Sequence, residues 1–225
     1  MLDFIEVYRD HIGQWLPELL WASLGTLKLT ASSFLLAVAI GLVVALARIS
    51  RFRLLRAVAL VYIDVVRGTP ALVILFLVYF GLGSLGVPWL TFNSFSGAVI
   101  GLGVHGGALL AEVFRAGIEA LHRGQTEAAL SLGMTPAKAM AYIVLPQAAR
   151  TVLPPVGNYS VGLLKDTAIC LLIAAPELMA RAQDLASSSF LPMHVFVLAG
   201  LLYFVMSYPL SLAVRTMEAR FTHHR

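Results

Sequence analysis

The sequence is poor in charge and nearly devoid of cysteine. Only 12% of its 225 residues are charged, about half the fraction of a typical soluble domain. Its one cysteine, Cys170, excludes an internal disulfide and any metal site built from several cysteines. Apolar side chains are abundant instead, at 59% of the chain with a mean hydropathy of +0.85. One small core cannot hold so many apolar residues, so lipid must solvate the remainder and the chain is predicted to be an all-α membrane protein.

Several functional signatures are also missing. No G-x-x-x-x-G-K-[ST] phosphate loop occurs, so the chain cannot hydrolyse ATP by that route. The six histidines form no metal pattern, and no nucleophile–base pair points to an intramembrane enzyme. The basic residues leave no face that would lie along nucleic acid. The first residues are acidic and amphipathic, so no cleaved signal peptide is expected.

Five apolar stretches are long enough to cross the hydrocarbon layer, which takes about 20 helical residues. They run from about Trp21 to Ala47, Leu54 to Leu82, Phe95 to Ala120, Gln147 to Lys165 and Leu191 to Val214. The second contains Gly68 and Pro70, which are expected to break its helix near mid-membrane. Residues 1–20 are predicted to form an amphipathic segment on the outer face, and residues 21–225 a single transmembrane domain.

Basic residues between the spans predict the orientation. The loop 83–94 carries no charge, and the segment between the fourth and fifth spans is net negative. Basic residues follow the first and fifth spans, at Arg48, Arg51, Arg53, Arg56, Arg215, Arg220 and Arg225. Because cytoplasmic loops are enriched in Lys and Arg, we predict the N-terminus outside and the C-terminus in the cytoplasm.

The stretch 125–146, QTEAALSLGMTPAKAMAYIVLP, is too polar to span the membrane and carries clear helix signals. Glu127 stands in the first turn of one helical pattern, and Gly133 supplies a stop. Thr135 is a suitable N-cap for a second helix, with Pro136 at its first position. We therefore predict a cytoplasmic elbow of two short helices, of which the first has a smooth alanine surface suited to docking on another protein.

The spacing of this stretch resembles a known signature. Glu127-Ala128-Ala129, Gly133, Ile143 and Leu145-Pro146 match the EAA loop of permeases in binding-protein-dependent ABC importers. The segments 62–82, 111–118 and 162–178 resemble the polar amino acid branch of that family. The resemblance covers nearly the whole chain from about Leu20.

The resemblance implies a type I importer permease in the bacterial inner membrane, passing amino acids that an external binding protein delivers. It also implies a second permease subunit, identical or homologous, and a cytoplasmic ABC ATPase dimer that holds the ATP and Mg²⁺. Glu127, Ala128, Ala129 and Gly133 would transmit ATPase closure to the spans. A permease of this class for another small solute remains an alternative, as does a secondary transporter, although the latter more often has ten or more spans.

Ionisable side chains at membrane depth are costly unless they are paired. Asp64 and Arg67 stand three residues apart, as do Glu112 and Arg115, so each pair shares a helix face. Each pair either neutralises itself within the bundle or lines the path of an amino acid, whose ammonium and carboxylate need both signs of charge.

Other polar positions leave further alternatives. Asn158 in the fourth span is either a path residue or the donor of a helix–helix hydrogen bond. Lys165 and Asp166 are expected to mark the outer end of that span. The amino acid branch usually has serine where this chain has Ala168, and apolar or hydroxyl residues where it has His105, so the sequence does not identify the substrate.

Small residues recur every four positions in the third span, at Gly103, Gly107 and Ala111. That spacing lets helix backbones approach closely. The contact it predicts lies either inside one subunit or at a seam between two.

Overall fold

The computed structural model describes residues 2–119 and 123–222, and within these ranges the chain is helical with no strand. Nine α-helices follow one another in this part of the chain: α1 (Leu2–Arg48), α2 (Arg53–Arg67), α3 (Ala71–Phe76), α4 (Ser94–Glu119), α5 (Arg123–Ser131), α6 (Pro136–Ala139), α7 (Leu145–Asp166), α8 (Leu178–Ser189) and α9 (Pro192–Thr222). Shorter π and 3-10 turns fill Leu77–Gly81, Pro88–Leu90, Met140–Val144 and Thr167–Ile173.

The helices confirm an all-α membrane protein. Four helical runs are long and apolar enough to cross a bilayer, at Glu6–Arg48, Ser94–Glu119, Pro136–Ile173 and Pro192–Ala219. The pair Arg53–Arg67 and Ala71–Gly81 qualifies together but bends by 108°. With that pair counted as one broken span, the structure contains the five spans that the sequence predicts.

The break in the second span lies at the predicted residues. α2 ends at Arg67, and Gly68 donates its backbone N–H to the Asp64 carbonyl. Pro70 has no N–H with which to continue the helix, and its carbonyl instead accepts a bond of 2.9 Å from the Val73 N–H at the start of α3.

The predicted elbow has the expected helix ends, but its second helix is not short. The run that starts at Pro136 continues through a π-helical turn, Met140–Val144, into α7. Pro146 does not end the helix, because it follows directly on a turn where the backbone hydrogen bonds already change register. The elbow thus joins α5 to the extended end of the fourth span. α7 ends at Asp166, and a 3-10 segment extends the helical run to Ile173. That Lys165 and Asp166 mark the outer end of the span in the membrane stays a prediction.

The glycines of α4 bring this helix close to α1. A Cβ at Gly103 would lie 2.8 Å from Leu36 Cγ, and one at Gly107 would lie 2.8 Å from Ile40 Cβ. Both approaches are tighter than real side chains allow, so only glycine fits at these positions. The small residues of the third span therefore serve packing within this subunit.

The first helix is longer than its predicted span. α1 has 47 residues, about 70 Å of helix, against a hydrocarbon layer of about 30 Å. Residues 2–20 are continuous with the span, and Trp15 and Leu19 are buried against α8 and α9. Their location on the outer face stays a prediction.

Candidate functional site

The elbow presents part of its sequence signature to solvent. Glu127 and Ala128 are exposed, whereas Ala129 is only 4% exposed. Of the two alanines predicted to form a docking surface, only Ala128 is accessible in this chain. Leu132 and Tyr142 are 84% and 72% exposed. Sequence reasoning passed over these two side chains, although apolar residues within a polar loop were a visible signal. They extend the surface available to a partner protein.

Gly133 ends α5 in a left-handed conformation, with a φ of +79°. The Met134 N–H donates to the Ala129 carbonyl at 3.1 Å, and the Gly133 N–H donates to the Leu130 carbonyl at 2.9 Å. This is the Schellman arrangement, which favours glycine at its left-handed position. Thr135 then caps α6 as predicted, since its Oγ1 accepts a bond of 3.3 Å from the Lys138 N–H.

The two predicted charge pairs differ in outcome. Glu112 and Arg115 form the expected ion pair at 2.7 Å, and Arg115 also bonds Glu119. No ion pair joins Asp64 and Arg67, both exposed on α2, among the residues that the structure describes. Of the two alternatives for this pair, mutual neutralisation is therefore not seen, and Arg67 at the end of α2 lies within electrostatic reach of Glu112 on α4. Which acidic group a basic side chain approaches depends on the packing of the helices as well as on spacing along one helix.

Asn158 forms a contact between two spans. Its Nδ2 donates to Glu218 Oε1 at 2.8 Å, linking α7 to α9. Of the two alternatives that the sequence left open, the structure contains the helix–helix hydrogen bond.

A second polar group brings together residues of α2, α4 and α7, and we call Tyr62, His105, Tyr159 and Asp166 the central polar cluster. The first three are half-buried and Asp166 is exposed. His105 on α4 and Asp166 at the end of α7 lie within electrostatic reach of each other. Tyr159 lies within reach of both Asp166 and Tyr62, and Tyr62 Oη donates to the Val104 carbonyl at 2.6 Å. Sequence reasoning missed this cluster, although a histidine and an aspartate inside two different spans were visible signals. The cluster brings an imidazole, a carboxyl group and two hydroxyls to one place.

Glu177 caps the start of α8 in a buried cluster of four residues. We call this cluster, which consists of Thr26, Glu177, Leu178 and Tyr203, the α8 anchor. The Glu177 side chain is 1% exposed, accepts from the Met179 N–H at 2.8 Å, and accepts from Tyr203 Oη at 2.7 Å. Thr26 Oγ1 accepts from the Leu178 N–H at 2.9 Å. Burial raises the pKa of the Glu177 carboxyl above its usual range, while the bonds from Tyr203 and the backbone favour the charged form. The anchor ties α8 to both α1 and α9.

Within residues 2–119 and 123–222, no three His, Cys, Asp or Glu side chains lie close enough together to hold a metal ion.

Comparison with known proteins agrees with this architecture. Residues 37–223 match the family described as binding-protein-dependent transport system inner membrane component. The chain is 34% identical to the "Probable glutamine ABC transporter permease protein GlnM" of Bacillus subtilis over 96% of its own length and 97% of that protein. It is 38% identical to the "Probable amino-acid ABC transporter permease protein PatM" of Vibrio harveyi, over 90% and 86% of the two chains.

Solved structures show the same fold. A crystal structure of an amino acid ABC transporter with histidines superposes with a TM-score of 0.86 at 36% identity, covering 93% of this chain and 96% of that one. Inward-facing structures of the methionine transporter MetNI share the fold at 17% identity, with a TM-score of 0.65. The chain therefore belongs to the family of inner membrane components of binding-protein-dependent transport systems, as the permease subunit of an ATP-driven importer.

Proposed function

We propose that this chain carries amino acids across the membrane beside a second permease subunit, identical or homologous. A pair of cytoplasmic ABC ATPases supplies the energy, and an external binding protein delivers the substrate. Support for the substrate class comes from the glutamine and amino-acid permeases that the chain resembles over nearly its full length.

The central polar cluster is the observation that carries this proposal. A free amino acid has an ammonium and a carboxylate, and a site for it needs charge of both signs or helix ends directed at it. Asp166 supplies a carboxylate for the ammonium. His105 supplies an imidazole ring whose N–H can donate to the substrate carboxylate, and Tyr62 and Tyr159 add hydroxyl groups beside them.

The charges predicted from the sequence keep a proposed role nearer the elbow. Glu112, Arg115 and Arg67 gather at the elbow end of α4, where they form a second polar level of the path. Asp64 and Asn158 remain candidates for the same role. Full transport by two double-neutral variants, Asp64→Asn with Arg67→Gln and Glu112→Gln with Arg115→Gln, would remove both pairs from the path.

The elbow couples the ATPases to this path. Glu127 and Ala128 are exposed at the start of the loop, and the helix that follows Gly133 is continuous with the fourth span. A partner that moves the elbow would therefore move α7, which carries Asp166, as one rigid body.

Uptake by the reconstituted complex tests the substrate site. With the ATPase and binding protein present, Asp166→Asn and His105→Gln should each lower amino acid uptake by about tenfold or more, because each replaces an ionisable hydrogen-bonding group. Asp10→Asn, which neutralises an exposed carboxylate on α1, is the matched control and should transport normally. Normal uptake by both Asp166→Asn and His105→Gln would overturn the proposed site, provided that both complexes assemble.

A further inference from the structure

A cavity of about 730 Å³ opens on the side of the bundle between α1, α8 and the start of α4. Its lining is mostly apolar, and the charged side chains in it come from α1 and from the segment that begins at Glu177. None of the residues proposed for the substrate path or for coupling lines it. The cavity is therefore a separate feature of the molecule.

The cavity lies near one surface of the membrane. Lys28, in its wall, precedes Arg48 by twenty residues on one continuous helix, which is about 30 Å and matches the hydrocarbon thickness. α1 and α4 run in parallel, with Leu36 against Gly103 and Ile40 against Gly107. This register places Lys28 level with the first turn of α4, where Phe95 lines the same cavity. With Arg48 at one membrane surface, Lys28 lies close to the other.

One exposed stripe of α1 continues from the cavity across the bilayer towards Arg48, and we call it the α1 stripe. Its members recur at intervals of three, four or seven residues, which places them on one helix face. They are Trp21, Leu24, Lys28, Leu35, Leu42 and Leu46. Trp21 is 76% exposed and Leu35 68% exposed, so no other part of residues 2–119 and 123–222 covers these positions. Lys28 is thus the one cation on an otherwise apolar surface.

The charges of the cavity are paired except at Lys28. Arg181 bonds Glu18 at 2.6 Å and lies 3.6 Å from Asp184, and Glu177 is committed to the start of α8. Lys28 has no hydrogen-bond or ion-pair partner within the described ranges. An ammonium near the apolar layer is costly until it meets an anion. Because Arg181 is the only cation in contact with the two carboxylates Glu18 and Asp184 in the described lining of the cavity, a ligand that brings its own positive charge fits better than a simple anion.

We infer that this cavity holds the headgroup of a zwitterionic phospholipid, with its phosphate on Lys28, its ammonium towards Glu18 and Asp184, and its acyl chains along the α1 stripe. The Lys28 ammonium suits a phosphate because it is a compact cation with three hydrogen-bond donors. Trp21 stands at the level where indole rings favour the membrane interface. The apolar stripe below Lys28 offers the chains a continuous surface.

Lipid retention by the purified permease–ATPase complex tests this inference. Native mass spectrometry with added phosphatidylethanolamine should detect one bound lipid per permease chain. Lys28→Gln should weaken this binding by about tenfold, since it removes a charge-assisted hydrogen bond. Lys138→Gln, a lysine on the exposed elbow, is the control and should retain the lipid. Equal retention by Lys28→Gln and the unmodified complex would overturn the inference.

Two competitors establish the nature of the ligand. Phosphatidylglycerol, which lacks the ammonium, should bind more weakly, and preference for it would contradict a zwitterionic headgroup. Soluble phosphoethanolamine should not displace the lipid, and displacement at equal concentration would show a site for a free phosphate compound instead.

A photo-crosslinking residue in place of Leu35 provides a second readout that does not depend on Lys28. Irradiated in native membranes, it should yield a permease with the added mass of a phospholipid. A cross-link to a second permease chain, or no lipid adduct at all, would show that protein covers the α1 stripe and would overturn the inference.

Discussion

The elbow and the segment that leads into the α8 anchor each contain a helical turn that ends in a left-handed residue, yet they are stabilised in different ways. α5 ends at Gly133 with a φ of +79°, and the turn before the anchor ends at Ala174 with a φ of +53°. Both ends have the same pair of hydrogen bonds, since the Ala175 N–H donates to the Cys170 carbonyl at 3.1 Å and the Ala174 N–H to the Leu171 carbonyl at 2.9 Å. Glycine adopts this conformation without strain, whereas alanine requires support from its surroundings.

The surroundings explain the difference. Gly133 has open space around it, and the elbow rests on local signals. Ala175, Glu177 and Leu178 are fully or almost fully buried, and bonds from α1 and α9 hold the anchor. The comparison shows that local hydrogen bonds stabilise the elbow, whereas buried long-range bonds tie the anchor to the bundle.

Removal of the Glu177 side chain should have the largest effect on stability. Glu177→Ala deletes a helix cap and leaves the Tyr203 hydroxyl without its acceptor, which together cost about 2–4 kcal/mol. Thermal unfolding of the purified complex measures the loss. Glu127→Ala on the exposed elbow is the control and should change stability by less than about 0.5 kcal/mol. Equal melting temperatures for the two variants would contradict the idea that the anchor contributes more to stability than the elbow.

Changes in the elbow should abolish coupling at a smaller cost in stability. Gly133→Leu places a side chain at positive φ, which costs about 1–2 kcal/mol. Combined with Glu127→Lys, it should leave membrane insertion intact while amino acid uptake is lost and ATP hydrolysis is uncoupled. Retained transport by this double variant would show that the elbow does not dock the ATPase.

Relief of the strain at Ala174 should act in the opposite direction. Ala174→Gly removes the penalty for a left-handed alanine but adds flexibility to the unfolded chain, so a net stabilisation of at most about 1 kcal/mol is expected. Gly133→Ala should destabilise by a similar amount. A loss of stability in Ala174→Gly would indicate that the alanine methyl group makes a contact worth more than the strain.

The two regions should also differ in the side of the membrane they face. Cysteines introduced at Gln125 in the elbow and at Ser187 in α8 replace exposed residues, so stability should hardly change. A membrane-impermeant thiol reagent on intact cells should label position 187 and leave position 125 unlabelled until lysis. The reverse pattern would overturn the predicted orientation.

Local features of the fold could be predicted from the sequence, and long-range ones could not. The helix stop at Gly133, the cap at Thr135 and the break at Gly68 and Pro70 depend on a few neighbouring residues, and the structure contains all of them. The missing Asp64–Arg67 pair depends on where α4 lies. The left-handed conformation of Ala174 could not be predicted, because the usual sequence signal for it, a glycine, is absent at this position.

The site shows the same limit. The spacing of Glu112 and Arg115 predicts their ion pair correctly, because both belong to one helix. His105 and Asp166 come from different spans, and only the packing of α4 against α7 brings them together. The burial of Trp15 and Leu19 could not be predicted either, because these residues pack against α8 and α9, which are distant in sequence.

The energy source of transport tests the central claim most directly. Vesicles containing this permease, with its ATPase and binding protein, should take up amino acid only when ATP and Mg²⁺ are supplied to the ATPase. Dissipation of ion gradients should leave this uptake unchanged. Uptake by the permease alone, driven by an ion gradient in the absence of the ATPase, would contradict the account and identify a secondary transporter.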